Sequence, residues 1–142
     1  MAGKGNAVLP INAAVVYFAV VFAAGFVLGT IRAIFFVPKI DEEVAVLIEL
    51  LLMLIISWVT CISIINRFRV PAALAPRLVM GGLAFALMMV AEVGVSVLAF
   101  GRTVVEHFET SLNTISLLGL AAQVAFAFLP AIQLGIPWSR RA

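Results

Sequence analysis

The sequence predicts an all-α polytopic membrane protein, a bundle of four transmembrane helices. Of its 142 residues 65% are hydrophobic and 11% are charged, whereas soluble domains are about half apolar and about a quarter charged. Four apolar segments reach the length of about 20 residues that a helix needs to cross the hydrocarbon core. The remaining stretches are too short for a soluble domain. We therefore interpret residues 1–142 as a single transmembrane domain.

The four predicted spans cover residues 7–36, 44–65, 78–100 and 112–136. The first apolar stretch is far longer than the roughly 7–15 residues of a signal-peptide core, so we expect a retained helix that also directs insertion. The segment 102–110, between the third and fourth spans, is expected to form a short turn at the membrane interface.

Residues that commonly begin or end helices lie between these segments. Asp41 is a plausible N-cap of the second helix, and Pro76 could begin the third. Gly101 follows the third helix, where a C-terminal glycine is expected. Thr110 or Ser111 could cap the fourth helix.

The distribution of Lys and Arg predicts the orientation. Short loops rich in these residues stay in the cytoplasm. Six lie in the two tails and the second loop: Lys4, Arg67, Arg69, Arg77, Arg140 and Arg141. Only Lys39 and Arg102 lie in the first and third loops. Both termini are therefore predicted to be cytoplasmic.

Three ionisable residues fall inside the predicted spans: Arg32, Glu49 and Glu92. Each destabilises a helix by about 2.5–3.5 kcal/mol near the membrane centre unless it is paired or hydrated. With a rise of about 1.5 Å per residue, the three could share one layer in the outer half of the bilayer. An ion or proton site is one interpretation of this charged cluster. The other interpretation is structural: the side chains extend to the membrane surface, or they form an ion network that fixes the packing of the helices.

Small and polar residues predict where the helices pack. Gly25 and Gly29 are four residues apart, a spacing that permits close helix approach in lipid. Gly81 lies on the face of the third helix that carries Glu92. In the fourth helix, Gly119 and Gln123 are assigned to packing, and Gln123 is expected to bond a neighbouring helix.

The residues that most enzymes and metal sites require are missing from the sequence. A single cysteine, Cys61, and a single histidine, His107, cannot supply a disulfide, a cysteine-rich metal site or a bis-histidine haem. No hydrolase, phosphate-loop or metalloprotease motif is present. The dispersed basic residues do not form a nucleic-acid-binding patch. We therefore expect no cofactor, no metal site, no nucleic-acid partner and no enzyme activity.

Several short motifs carry a resemblance to a known group of proteins. These are Gly29-Thr30-Ile31-Arg32, Glu49, Ser57-Trp58, Ala91-Glu92 and Gly119-Leu120-Ala121-Ala122-Gln123. At these positions the chain resembles a family of uncharacterised small bacterial membrane proteins with four spans. The resemblance implies a bacterial inner membrane and no particular activity. Small multidrug carriers also have four spans, but their defining glutamate lies in the first helix, which has none here.

Three functional hypotheses follow for a protein embedded in the lipid bilayer, and the least favoured is an enzyme that acts on a lipid or quinone, because motifs for catalysis are missing. Minimal loops and small-residue helix faces favour a structural or accessory subunit of a larger membrane complex. The alternative is a small homo-oligomeric carrier or channel, coupled to ions or protons, that uses the Arg32–Glu49–Glu92 cluster.

Overall fold

The computed structural model describes residues 5–110 and 112–136, with side chains from residue 10 onward. Its helices are α1 Gly5–Ile31, α2 Glu42–Phe68, α3 Leu74–Phe100, α4 Val104–Thr110 and α5 Thr114–Ile132. A π-helical turn, Arg32–Phe36, continues α1, and a 3-10 turn, Gln133–Gly135, follows α5. Within the described residues, four helices are long and apolar enough to cross a membrane. The predicted all-α class with four spans is confirmed.

The observed helix ends differ from the predicted ones by a few residues. Both α2 and α3 extend beyond their apolar segments, because polar residues near the membrane surface can continue a helix. Pro76 does not begin α3, which starts two residues earlier at Leu74. Proline is tolerated there because the first-turn N–H groups have no acceptor within the helix.

The helix termini show which of the predicted caps form. Asp41 occupies the N-cap of α2 but makes no side-chain cap bond. Gly101 ends α3 in the left-handed conformation, with φ 62°, as expected for a C-terminal glycine. Asn113, rather than Thr110, caps α5, and its side chain accepts a bond of 2.8 Å from the Ser116 N–H. Ser111, like Lys4, Arg140 and Arg141, lies outside the described residues.

The segment predicted as an interfacial turn contains the short helix α4. The Thr103 hydroxyl accepts the Glu106 N–H at 3.2 Å, and the Glu106 carboxylate accepts the Thr103 N–H at 2.8 Å. This reciprocal capping box starts the helix. The bonds from Thr103 lower the pKa of Glu106, which lies outside the spans. The capping contribution is therefore present above the ordinary carboxyl pKa and is lost only as the pH falls through the lowered value.

The long helices pack in a ring. α1 contacts α2 and α3, and α5 also contacts α2 and α3, so the order around the bundle is α1, α2, α5, α3. The connections from α1 to α2 and from α3 to α5 join antiparallel neighbours, whereas the short loop from α2 to α3 joins two helices that are diagonally opposite. One end of the bundle, the acidic end, carries Asp41, Glu42, Glu43, Glu106 and Glu109. The opposite end, the basic end, carries Arg67, Arg69 and Arg77.

The close-packed core occupies the half of the bundle toward the basic end. Tyr17, Cys61, Met80 and Ala84 are fully buried there. Large apolar side chains such as Leu98, which is 88% exposed, cover the outside of the bundle. Such a surface suits lipid rather than water.

A proline in α5 is compensated by a tyrosine from α1. Pro130 has no N–H, so the carbonyl of Phe126 loses its helical donor. The Tyr17 hydroxyl donates to this carbonyl at 3.1 Å. The Tyr17 ring also stacks on the Phe126 ring, with 4.3 Å between centroids. Because an unsatisfied carbonyl is unfavourable in hydrocarbon, this contact fixes α1 against the diagonally opposite helix.

Arg77, assigned to a loop by the sequence, lies in α3 and is fully buried. Its guanidinium donates to the carbonyls of Pro71 at 3.1 Å, Val70 at 3.4 Å and Pro130 at 3.5 Å. These bonds join the loop between α2 and α3 to α5. The basic end is therefore closed by a buried cation bonded to backbone oxygens.

α3 and α5 approach each other closely at Gly81. An ideal Cβ on Gly81 would lie 1.8 Å from the backbone oxygen of Ala127. No residue with a side chain fits at that distance. In contrast, a Cβ on the next residue, Gly82, would meet no described atom within 4 Å.

Candidate solute cavity

The half of the bundle toward the acidic end encloses a cavity of about 500 Å³. All four long helices line it, and α4 and the preceding loop contribute at its mouth. Its volume lies in the range of about 300–1,000 Å³ that is usual for small-molecule sites. The bundle is thus packed tightly at one end and hollow at the other.

One wall of the cavity carries the ion pair between Arg32 and Glu49. The Arg32 guanidinium donates through Nε to the Glu49 carboxylate, joining α1 to α2. Its Nη1 also lies 4.0 Å from a carboxylate oxygen of Glu42. The side chains of Arg32 and Glu49 are 26% and 18% exposed. The pair therefore lies mostly inside the protein.

A π-helical turn begins at Arg32. The Val37 N–H donates to the Arg32 carbonyl at 3.0 Å, which closes the wider turn. π-Helical turns are rare and occur frequently at functional sites. Nothing in the apolar pattern of the first segment indicated this turn.

A second polar pair, Glu92 and Gln123, joins α3 to α5. The Gln123 amide donates to the Glu92 carboxyl, which is the interhelical bond expected for Gln123. Among the described residues, no cationic nitrogen lies within 4.0 Å of Glu92. The predicted cluster of three charges is therefore arranged as two separate pairs, Arg32–Glu49 and Glu92–Gln123. Both pairs line the same cavity.

The four glycines assigned to packing have different surroundings. A Cβ on Gly25 would lie 3.4 Å from Met53, and one on Gly29 would lie 3.5 Å from Glu49. Both glycines face α2, and Gly81 faces α5 at much closer range. A Cβ on Gly119 would meet nothing within 4 Å. Gly119 therefore has no close packing neighbour in the described part of the chain and leaves space for the cavity instead.

Two serines complete the polar part of the lining. Ser57 and Ser96 are 2% and 6% exposed, and both line the cavity. Among the described residues, the Ser96 hydroxyl has no hydrogen-bond partner. Ser96 lies four residues after Glu92, a spacing that places both side chains on one face of α3. The spacing did not reveal that this hydroxyl lacks a partner.

The mouth of the cavity carries two residues that the sequence analysis did not assign to a site. Arg102 and His107 line it from the loop after α3 and from α4. The guanidinium carbon of Arg102 lies 5.7 Å from the centroid of the Phe100 ring, a cation–π contact. The one sequence feature that pointed to them is the interfacial turn expected at positions 102–110. This turn lies beside the ends of the spans.

Among the described residues, no group of three or more His, Cys, Asp or Glu side chains could hold a metal ion. No family model, no curated protein and no solved structure matches this chain.

Proposed function

We propose that this protein is a small membrane carrier that moves a solute through its cavity in exchange for a proton on Glu92. The observation that carries the proposal is a cavity of about 500 Å³ between spanning helices, with a carboxyl group in its wall that has no cationic partner within 4.0 Å in the described residues. An ionisable side chain inside a membrane protein is a functional candidate by default.

Charge balance supports the choice of Glu92 as the exchanging group. Arg32 already neutralises Glu49 through a direct ion pair. Among the described residues, Glu92 receives a single side-chain hydrogen bond, from the Gln123 amide. A carboxylate in this position is neutralised either by a proton or by a bound cation. If Glu92 alternates between binding a proton and binding a cation, transport of the one is coupled to transport of the other.

We propose further that the protein spans a bacterial inner membrane with both termini in the cytoplasm. The excess of Lys and Arg in the tails and the second loop supports this orientation. The mouth of the cavity, at the acidic end, would then open toward the outside of the cell.

The carrier is tested by reconstituting the purified protein in liposomes that contain a pH-sensitive dye. Gradients of inorganic cations, organic ammonium ions, organic anions and neutral solutes are imposed one at a time. We expect one class to drive a pH change that Glu92→Gln abolishes. Glu43→Gln is the matched control because Glu43 is exposed at the acidic end and does not line the cavity.

Failure of every class to move protons, with protein that is folded by size-exclusion chromatography, would contradict the carrier. The accessory-subunit hypothesis predicts a different result in native membranes. It predicts that mild extraction yields a large complex that contains other proteins in stoichiometric amounts. An autonomous carrier would instead migrate on a native gel alone or as a homo-oligomer.

A further inference from the structure

We propose that the cavity binds a small organic ammonium ion whose apolar body lies among the aromatic and thioether side chains of its wall. This inference rests on the proposed function and assigns it a substrate class.

The charges of the spanning helices favour a cation. Arg32 is already bonded to Glu49, so an anionic ligand would have to break this pair. Glu92 has no cationic nitrogen within 4.0 Å in the described part of the chain. Arg102 also lines the mouth but is exposed, and lies outside the spans. Among the charged residues of the spanning helices that line the cavity, the unbalanced charge is therefore the negative charge of an ionised Glu92.

The hydrogen-bonding groups favour an ammonium ion with N–H donors. Ser96 lies four residues after Glu92, so both side chains project from the same face of α3. Ser96 is 94% buried and lines the cavity, and its hydroxyl has no hydrogen-bond partner among the described residues. Buried hydroxyls are normally bonded. An ammonium group can donate to the Glu92 carboxylate and the Ser96 hydroxyl together.

The rest of the wall favours an organic body over a hydrated inorganic ion. Phe22, Phe26, Phe126, Met53 and Met88 line the same cavity. Aromatic faces attract organic cations, and thioethers adapt to ligands of irregular shape. Such side chains provide no oxygen ligands for a hard metal ion, which prefers six or more oxygens or retains its water. The cavity thus combines one anionic end with an apolar chamber.

The test is equilibrium binding to the full-length protein in lipid nanodiscs. The probe is 2-phenylethylammonium, with 2-phenylethanol and 3-phenylpropionate as the matched neutral and anionic compounds. We expect the ammonium ion to bind at least about tenfold more tightly than either analogue, since hydrogen bonds to charged groups have this effect. Equal binding of the alcohol, or tighter binding of the carboxylate, would overturn the inference without the use of any variant.

Variants then locate the bound probe. Glu92→Gln is expected to weaken ammonium binding by about tenfold or more, and Ser96→Ala by about fivefold. Glu43→Gln should leave binding unchanged. Unchanged binding in a folded Glu92→Gln protein would overturn the assignment of the site.

This experiment distinguishes failure of the substrate class from failure of the proposed function. Binding of the ammonium ion without any solute-driven proton flux in liposomes would contradict the carrier but support the ligand. Proton flux driven by another class, with no ammonium binding, would contradict the ligand but support the carrier.

Discussion

Replacement of Gly81 by alanine is expected to destabilise the bundle more than any other single methyl addition to its described glycines. The new Cβ would lie 1.8 Å from the backbone oxygen of Ala127, and a backbone atom cannot move aside as a flexible side chain can. α3 and α5 would have to separate. Overpacking of this kind costs about 1–3 kcal/mol and occasionally more. We expect a loss at the upper end of that range.

The measurement is the free energy of unfolding, from titration of the protein in mixed micelles with a denaturing detergent. Gly82→Ala is the matched control, since it adds the same methyl group one residue away, where nothing lies within 4 Å. We expect it to change stability by less than about 0.5 kcal/mol. Equal stability of the two variants would show that α3 and α5 do not approach this closely.

The second large effect is expected when the Arg32–Glu49 pair is broken from one side. Arg32→Gln would leave the Glu49 carboxylate without its guanidinium, inside a spanning helix. An unpaired charge at such a position is unfavourable by about 2.5–3.5 kcal/mol. The double variant Arg32→Gln/Glu49→Gln replaces both charges by neutral amides. It should therefore be more stable than the Arg32→Gln single variant.

A double-mutant cycle measures this coupling with the same unfolding titration. The reference pair is Glu43→Gln with Arg32→Gln, because Glu43 is exposed and makes no ion pair with Arg32 among the described contacts. We expect the effects of Arg32→Gln and Glu49→Gln on stability to be coupled, and those of Arg32→Gln and Glu43→Gln to be additive. Additive effects of Arg32→Gln and Glu49→Gln would contradict a direct ion pair.

Hydropathy alone predicted much of the fold. The spans follow from length and apolar composition, because only helices satisfy every backbone group within a single segment of a membrane. Local chemistry predicted the C-terminal glycine Gly101 of α3, but it assigned the cap of α5 to Thr110 or Ser111 instead of Asn113. It did not predict that Leu74 begins α3, since proline at the start of a helix and proline in the first turn have the same local signature.

The site was predicted only in part. Helical spacing placed Gly81 and Glu92 on one face, and depth placed Arg32, Glu49 and Glu92 in one layer. Which carboxyl pairs with the arginine depends on the order of helices around the bundle, which no local pattern encodes. The burial of Arg77 and the bond from Tyr17 to Phe126 depend on the same arrangement. Pro130 was the one available signal for Tyr17, because a proline within a span leaves a carbonyl that needs a donor.

The solute cavity is tested by measuring whether water-borne reagents reach its wall. Ser96→Cys in a Cys61→Ala background is treated with a small cationic thiosulfonate in intact membranes. Leu118→Cys is the control, because Leu118 is similarly near its helix end but does not line the cavity. The account predicts markedly faster labelling at position 96, although Ser96 is the more buried residue. Labelling at 96 that is no faster than at 118 would contradict a solute cavity.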